Sequence, residues 1–187
     1  MAMPDHPRVE VTSDAALWDW LAAHHGSDGA ILITWKAATR DKYVSREAVL
    51  DALVAYGWID GRRYVVDDAR TAQLITPRRT RAWAQSYRVR AERLEAEGRM
   101  QAPGRAAIAA AQAAGTWEAD ADVDRLEVPG DLDAALGVAR AAWDGMAPSY
   151  RRNVLRWIKG AKTAPTREKR IVAAAEATAR GEKLPQM

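Results

Sequence analysis

The chain has 187 residues but no cysteine, no phenylalanine and only three histidines. Without cysteine there is no disulfide framework, no zinc–thiolate site and no thiol nucleophile. Long apolar runs are missing too, since nothing approaches the run of about 18 apolar residues that a membrane span needs. The opening residues Met1 to Thr12 (MAMPDHPRVEVT) hold no apolar core of signal-peptide length. A cytoplasmic protein without membrane insertion is therefore expected. The sequence also lacks G-x-G-x-x-G, G-x-x-x-x-G-K-[ST], G-x-S-x-G and H-E-x-x-H, so the commonest nucleotide, hydrolase and zinc readings fall away and neither cofactor nor metal is expected. His24 and His25 are adjacent, their side chains diverge on a helix, and they suit the last turn of one.

What is present is charge, arranged in blocks. Lys and Arg total 28, 22 of them Arg, against 25 acids, for a net charge of +3. Arg78 to Arg105 holds eight Arg against three Glu, Trp117 to Asp133 seven acids against one Arg, and Ser149 to Arg170 eight cations against one Glu. The acidic block contains Pro129 and Gly130 and little periodicity, which reads as a linker over 117–131. It would join a body over 1–116 to a C-terminal helical piece over 132–187.

Local signals outline the elements. Thr12, Ser13 and Asp14 precede a helical stripe of Leu17, Trp20 and Leu21 that stops at Gly26. Ala30 to Trp35 (AILITW) is a short, Ile-rich apolar run after a turn and predicts a buried strand with Lys36 at its exit. Ser45 caps a second helix with face Val49, Ala52, Leu53 and Tyr56, ended by Gly57. Arg62 to Val66 and Arg70 to Thr76, separated by Asp67, Asp68 and Ala69, form a hairpin. Trp83, Tyr87, Ala91 and Leu94 mark a helix from Thr80, an Ala-rich helix runs from Pro103 to Ala114, and the C-terminal third is helical. Together these predict an α+β fold, with a small, mostly antiparallel sheet covered by helices and followed by a C-terminal helical bundle.

Two segments carry candidate chemistry. Thr76 to Arg81 (TPRRTR) leaves a strand and is expected to enter a helix N-terminus, where cations are of the wrong sign, so Arg78, Arg79 and Arg81 need a compensating anion. That anion is either a bound phosphate or carboxylate or one of Asp60, Asp67 and Asp68. Tyr56 to Gly61 (YGWIDG) reads as a loop that positions side chains. There Trp58 either stacks on a flat ligand or plugs the core, and Asp60 either orients an arginine or caps the turn. A pocket of Lys36, Trp58, Asp60, Arg78, Arg79 and Trp83 would bind a small anionic or aromatic molecule or a peptide without turnover. The enzyme alternative is a cyclisation or isomerisation with Asp60 as acid or base and Tyr56 as proton donor. A third reading is nucleic-acid binding through the basic blocks, chiefly Arg151, Arg152, Arg156, Lys159 and Lys162 around Trp157. Those cations can equally face the acidic stretch.

GWIDG at Gly57 to Gly61, TPRR at Thr76 to Arg79 followed by Trp83, EGRM at Glu97 to Met100, RRNVLRWIKGAK at Arg151 to Lys162 and TREKRI at Thr166 to Ile171 occur together and in order. With these the chain resembles the YdeI/OmpD-associated (OmdA-type) family, named for bacteriocin protection, over Trp18 to Leu184. The resemblance implies a small bacterial protein linked to antimicrobial-peptide and envelope stress. That family usually has Ser on each side of the Trp after TPRR and Asn soon after it. Here Arg81, Ala84 and Tyr87 stand near those places, and Ala55-Tyr56 replaces Cys-Phe before GWIDG. These departures imply a changed pocket.

Overall fold

Serine hydroxyls start the first two helices. Ser13 accepts from the Ala16 N–H at 3.2 Å to open α1 (Asp14–His24), and Ser45 accepts from the Ala48 N–H at 3.1 Å to open α2 (Arg46–Ala55). Each hydroxyl satisfies an amide that the helix leaves without a partner. The computed structural model describes residues 3–79 and 82–185, and the chain forms two units that meet in sequence at Glu118 and Ala119.

The first unit also holds β1 (Arg8–Glu10), β2 (Ala30–Trp35), β3 (Trp58–Val65), β4 (Arg70–Pro77), α3 (Gln85–Ala96) and α4 (Ala102–Ala113). Its sheet has the order β1-β2-β4-β3. Pairing is antiparallel for β2 with β4 and β3 with β4, and parallel for β1 with β2, a three-residue strand with no signal of its own. Alternation along β2 sends Leu32 to the main core, with Leu17, Leu21, Leu53, Trp58 and Leu94, and sends Ile31 and Ile33 to a smaller cluster with Ala72 on the other face. Both faces of β2 are therefore covered, which explains its unbroken apolar run.

The segment expected as a positioning loop is strand. β3 begins at Trp58, and Asp60 pairs with Ile75 of β4 before a register shift between Asp60 and Arg63. Gly57, at φ 73°, makes the turn between α2 and β3 in a conformation that side chains disfavour. The helix expected from Thr80 starts at Gln85, because Ala84 is still extended. Thr80 and Arg81 lie outside the described residues.

One acid ties α2 to α3. Asp51 is 8% exposed and accepts from Arg90 and from Arg93 at 2.5 Å, with Arg99 at 3.5 Å. Burial works against its charge, but the bonds from Arg93 and Arg90 outweigh it and hold the carboxyl below its usual range. Its stabilising effect is thus present above about pH 4 and is lost as pH falls through the lower folded-state value. Asp51→Asn should cost about 1–3 kcal/mol at pH 7, and urea titrations should show the difference from wild type shrinking toward pH 3. A gap that does not change with pH overturns this account.

The second unit contains α5 (Ala121–Asp124), α6 (Gly130–Leu136), a single 3-10 turn over Gly137–Ala139, α7 (Arg140–Gly145), α8 (Pro148–Lys159) and α9 (Ala164–Ala179). Its core holds Leu132, Trp143, Val154, Ile158 and Ile171. The fold is thus α+β with a C-terminal helical region. Residues 117–131, read as linker, carry α5 and the start of α6, and their acids meet the cations of α8. Arg156 lies 2.9 Å from Asp124 and 3.4 Å from Asp120, and Lys159 lies 2.5 Å from Asp122. Opposite charge gives this stretch its partners where hydropathy gave no pattern.

Candidate functional site

Arg78 follows β4 directly, and its amide donates to Gly57 O at 2.8 Å, so the TPRR segment is pinned to the turn that starts GWIDG. Its guanidinium carbon lies 3.9 Å from the Trp83 ring centroid and 4.6 Å from that of Tyr87. Such stacking favours a cation over the ring face. Nε and Nη1 are buried and have no hydrogen-bond partner among the described residues. Burial pulls the guanidinium down to about 10, against the opposing pull of Tyr87 and Asp60. Buried Nε atoms of Arg88 and Arg151 are unbonded as well, but those two arginines face Glu118 at 3.6 Å and Asp144 at 3.3 Å.

Asp60 is the nearby acid, and it is engaged elsewhere. The Tyr87 hydroxyl donates to its Oδ1 through a short hydrogen bond, Gln73 Nε2 donates to Oδ2 at 3.1 Å, and Arg46 stands 4.0 Å away. Burial, then the bond to Asp60, push the Tyr87 phenol up to about 12, so it stays protonated and keeps donating. Asp67 is occupied by Arg70 at 2.7 Å. Neither acid pairs with Arg78.

A cavity of about 170 Å³ opens beside Arg78 and Arg79, walled by Ala107, Ala110 and Ala111 of α4, by Ala114 just past its end and by Thr116. The arginines thus sit at the carbonyl end of α4, where their sign is favourable, and several residues ahead of α3. The expected conflict with a helix N-terminus does not arise.

Of the expected pocket, Arg78, Arg79 and Trp83 come together, with Asp60 behind Tyr87. Trp58 is in the core, 1% exposed, its indole donating to His25 O at 3.0 Å and meeting Trp20 edge-on at 5.8 Å. Lys36 reaches Asp67 O at 3.3 Å and Asp68 O at 2.9 Å across the hairpin turn. The length of β4 separates that turn from Arg78, roughly 24 Å at the usual strand rise. Tyr56 packs against Trp18 at 5.7 Å and His25 at 6.1 Å, so the structure does not bring it to Asp60 as an acid–base pair. Gln73 and the alanines of α4 are not singled out by the sequence, and Tyr87 figures there only as a member of a helical stripe and as a departure from the family pattern. A lone Gln in the apolar run of β4 was the available signal.

A larger hollow of about 650 Å³ between α3 and α4 is lined by Ala91, Ala96, Ile108, Ala109 and Trp117, with Glu95 and Arg105 on its rim. Those two pair with each other at 2.9 Å. Among the described residues, no three His, Asp or Glu gather as metal ligands and no helix is long and apolar enough to cross a membrane.

The fold and the cavity define a two-unit α+β protein with a small arginine-lined hollow in its N-terminal unit. The chain belongs to the family described as Domain of unknown function (DUF8412), whose model matches residues 9–107 and so spans GWIDG and TPRR. Residues 125–181 match the family described as Bacteriocin-protection, YdeI or OmpD-Associated. The resemblance read over Trp18 to Leu184 is therefore matched over the C-terminal part. No curated protein and no solved structure matches the chain.

Proposed function

We propose that this protein binds a small anionic molecule in the cavity beside Arg78 and Arg79, without turnover. The observation that carries the reading is the Arg78 guanidinium, which is half-buried and stacked on two rings, has Nε and Nη1 buried without a hydrogen-bond partner, and lacks an acidic partner among the described residues. A largely desolvated cation without an acidic partner costs stability, and an anion would recover part of that cost on binding. Asp60 is engaged with Tyr87 and Gln73, which favours binding over acid–base chemistry. A cytoplasmic location and a role in stress or antimicrobial protection belong to the proposal too, and the protective part is supported by the bacteriocin-protection description of the family matched over 125–181.

Native mass spectrometry of gently purified protein, followed by denaturing analysis of anything released, tests the binding. A small acid should accompany wild type and be absent from Arg78→Met. The same molecule on both proteins, or no adduct together with no saturable thermal shift from a panel of small anions, overturns the proposal.

A further inference from the structure

We infer that the cavity selects a small monocarboxylate whose apolar body is about the size of one aromatic ring, an inference that rests on the anion-binding reading above. Volume sets the first limit. The hollow measures about 170 Å³, close to the roughly 150 Å³ cavity that takes up benzene and below the roughly 300–1,000 Å³ of drug-sized sites. Nucleotides and whole peptides do not fit in it.

The walls set the second limit. Ala107 and the buried Ala111 form the inner surface, and the exposed Ala110 and Ala114 form the rim. Their methyl groups offer contact to an apolar body and no hydrogen bond to a polar one. Among the described lining residues the polar side chains are Arg78, Arg79 and Thr116, and the Thr116 hydroxyl already donates to Ala111 O at 3.3 Å. The donors left for a ligand are guanidinium groups at one side of the hollow.

A phosphate set there would turn several charged oxygens toward methyl groups and lose their hydration without replacement. A carboxylate concentrates its charge at one flat end, which matches a planar guanidinium, and leaves its other end apolar. No acid lines the hollow among the described residues, so amines gain nothing there. The rings of Trp83 and Tyr87 hold the Arg78 plane before any ligand arrives, which lowers the ordering cost of binding.

Calorimetry on the full chain with benzoate, inorganic phosphate and benzyl alcohol at matched ionic strength tests the class. Benzoate should bind saturably at one site, at least ten-fold more tightly than either of the others. Arg78→Met should weaken it at least ten-fold. Ala110→Trp, at the exposed rim, should block it while the circular dichroism spectrum and melting temperature stay those of wild type. Phosphate binding more tightly than benzoate overturns the carboxylate class and leaves the anion reading standing. Benzyl alcohol matching benzoate, or no binding by any of the three, overturns both. Full benzoate affinity in Ala110→Trp overturns the location.

Discussion

Arg78→Met should make the ligand-free protein more stable while removing its anion binding. Methionine has nearly the length of the arginine stem, is apolar and adapts to irregular space. It therefore fills the volume over Trp83 and Tyr87 without a desolvated charge. Burial brings the Arg78 guanidinium from its usual value down to about 10, a penalty on the order of 3 kcal/mol at neutral pH. Stacking on the two rings returns about 0.5–2 kcal/mol of that. The folded-state value lies below the unfolded one, so the penalty is fully present below about pH 10 and is relieved only at higher pH. A net gain of about 1–2 kcal/mol corresponds to roughly 2–8 °C in melting temperature for a chain of this size. Thermal unfolding followed by circular dichroism, without added anions, reads it. A clear loss of stability would make Arg78 a structural pillar and remove the main support for a binding site. A gain in stability with a loss of function is the usual mark of a residue kept for its ligand.

Gly104→Ala should have the largest effect on folding, a loss of about 2–4 kcal/mol or failure to accumulate as folded protein. Helix propensity alone predicts the opposite, because alanine in a helix is favoured over glycine by about 1 kcal/mol. The contact decides the sign. A Cβ on Gly104 would lie 2.2 Å from Ala55 O and 2.8 Å from the Ala55 carbonyl carbon, and these are backbone atoms at the end of α2 that cannot swing away. Gly57 is the matching half of the contact, since a Cβ there would stand 2.8 Å from the Ala107 Cβ. The Gln101 amide closes the corner by donating to Ala55 O at 3.1 Å. Two glycines thus let α4 lie against the α2–β3 turn, and that approach carries Ala107 and Ala111 to Arg78. Urea unfolding measures the loss. A variant as stable as wild type would show that α4 does not approach so closely.

The parts of the fold that were legible are those decided by neighbours in sequence. Ser13 and Ser45 cap helices where expected, β2 spans Ala30 to Trp35, and Asp67 to Ala69 turn the hairpin, because a hydroxyl near free amides, a β-branched run and a short polar turn act over a few residues. The sequence also marked Arg78, Arg79 and Trp83 as belonging together, since they lie within a few positions of one another. It could not distinguish a loop from a strand at Trp58 to Asp60, because that choice depends on pairing with Thr76 and Pro77 across the hairpin. It placed Lys36 in the pocket for its charge, whereas strand direction puts that charge at the far end of β4.

By itself, then, the sequence determined the α+β class, the starts of α1 and α2 and the cluster of arginines after β4, all through interactions between residues close along the chain. Tertiary structure alone decided which helix end those arginines face, that Tyr87 and Gln73 engage Asp60, and that the alanines of α4 wall the cavity. These depend on contacts between residues 13 to 50 positions apart in sequence, where backbone approach at Gly57 and Gly104 and the limited number of hydrogen bonds a carboxylate can accept select the partner.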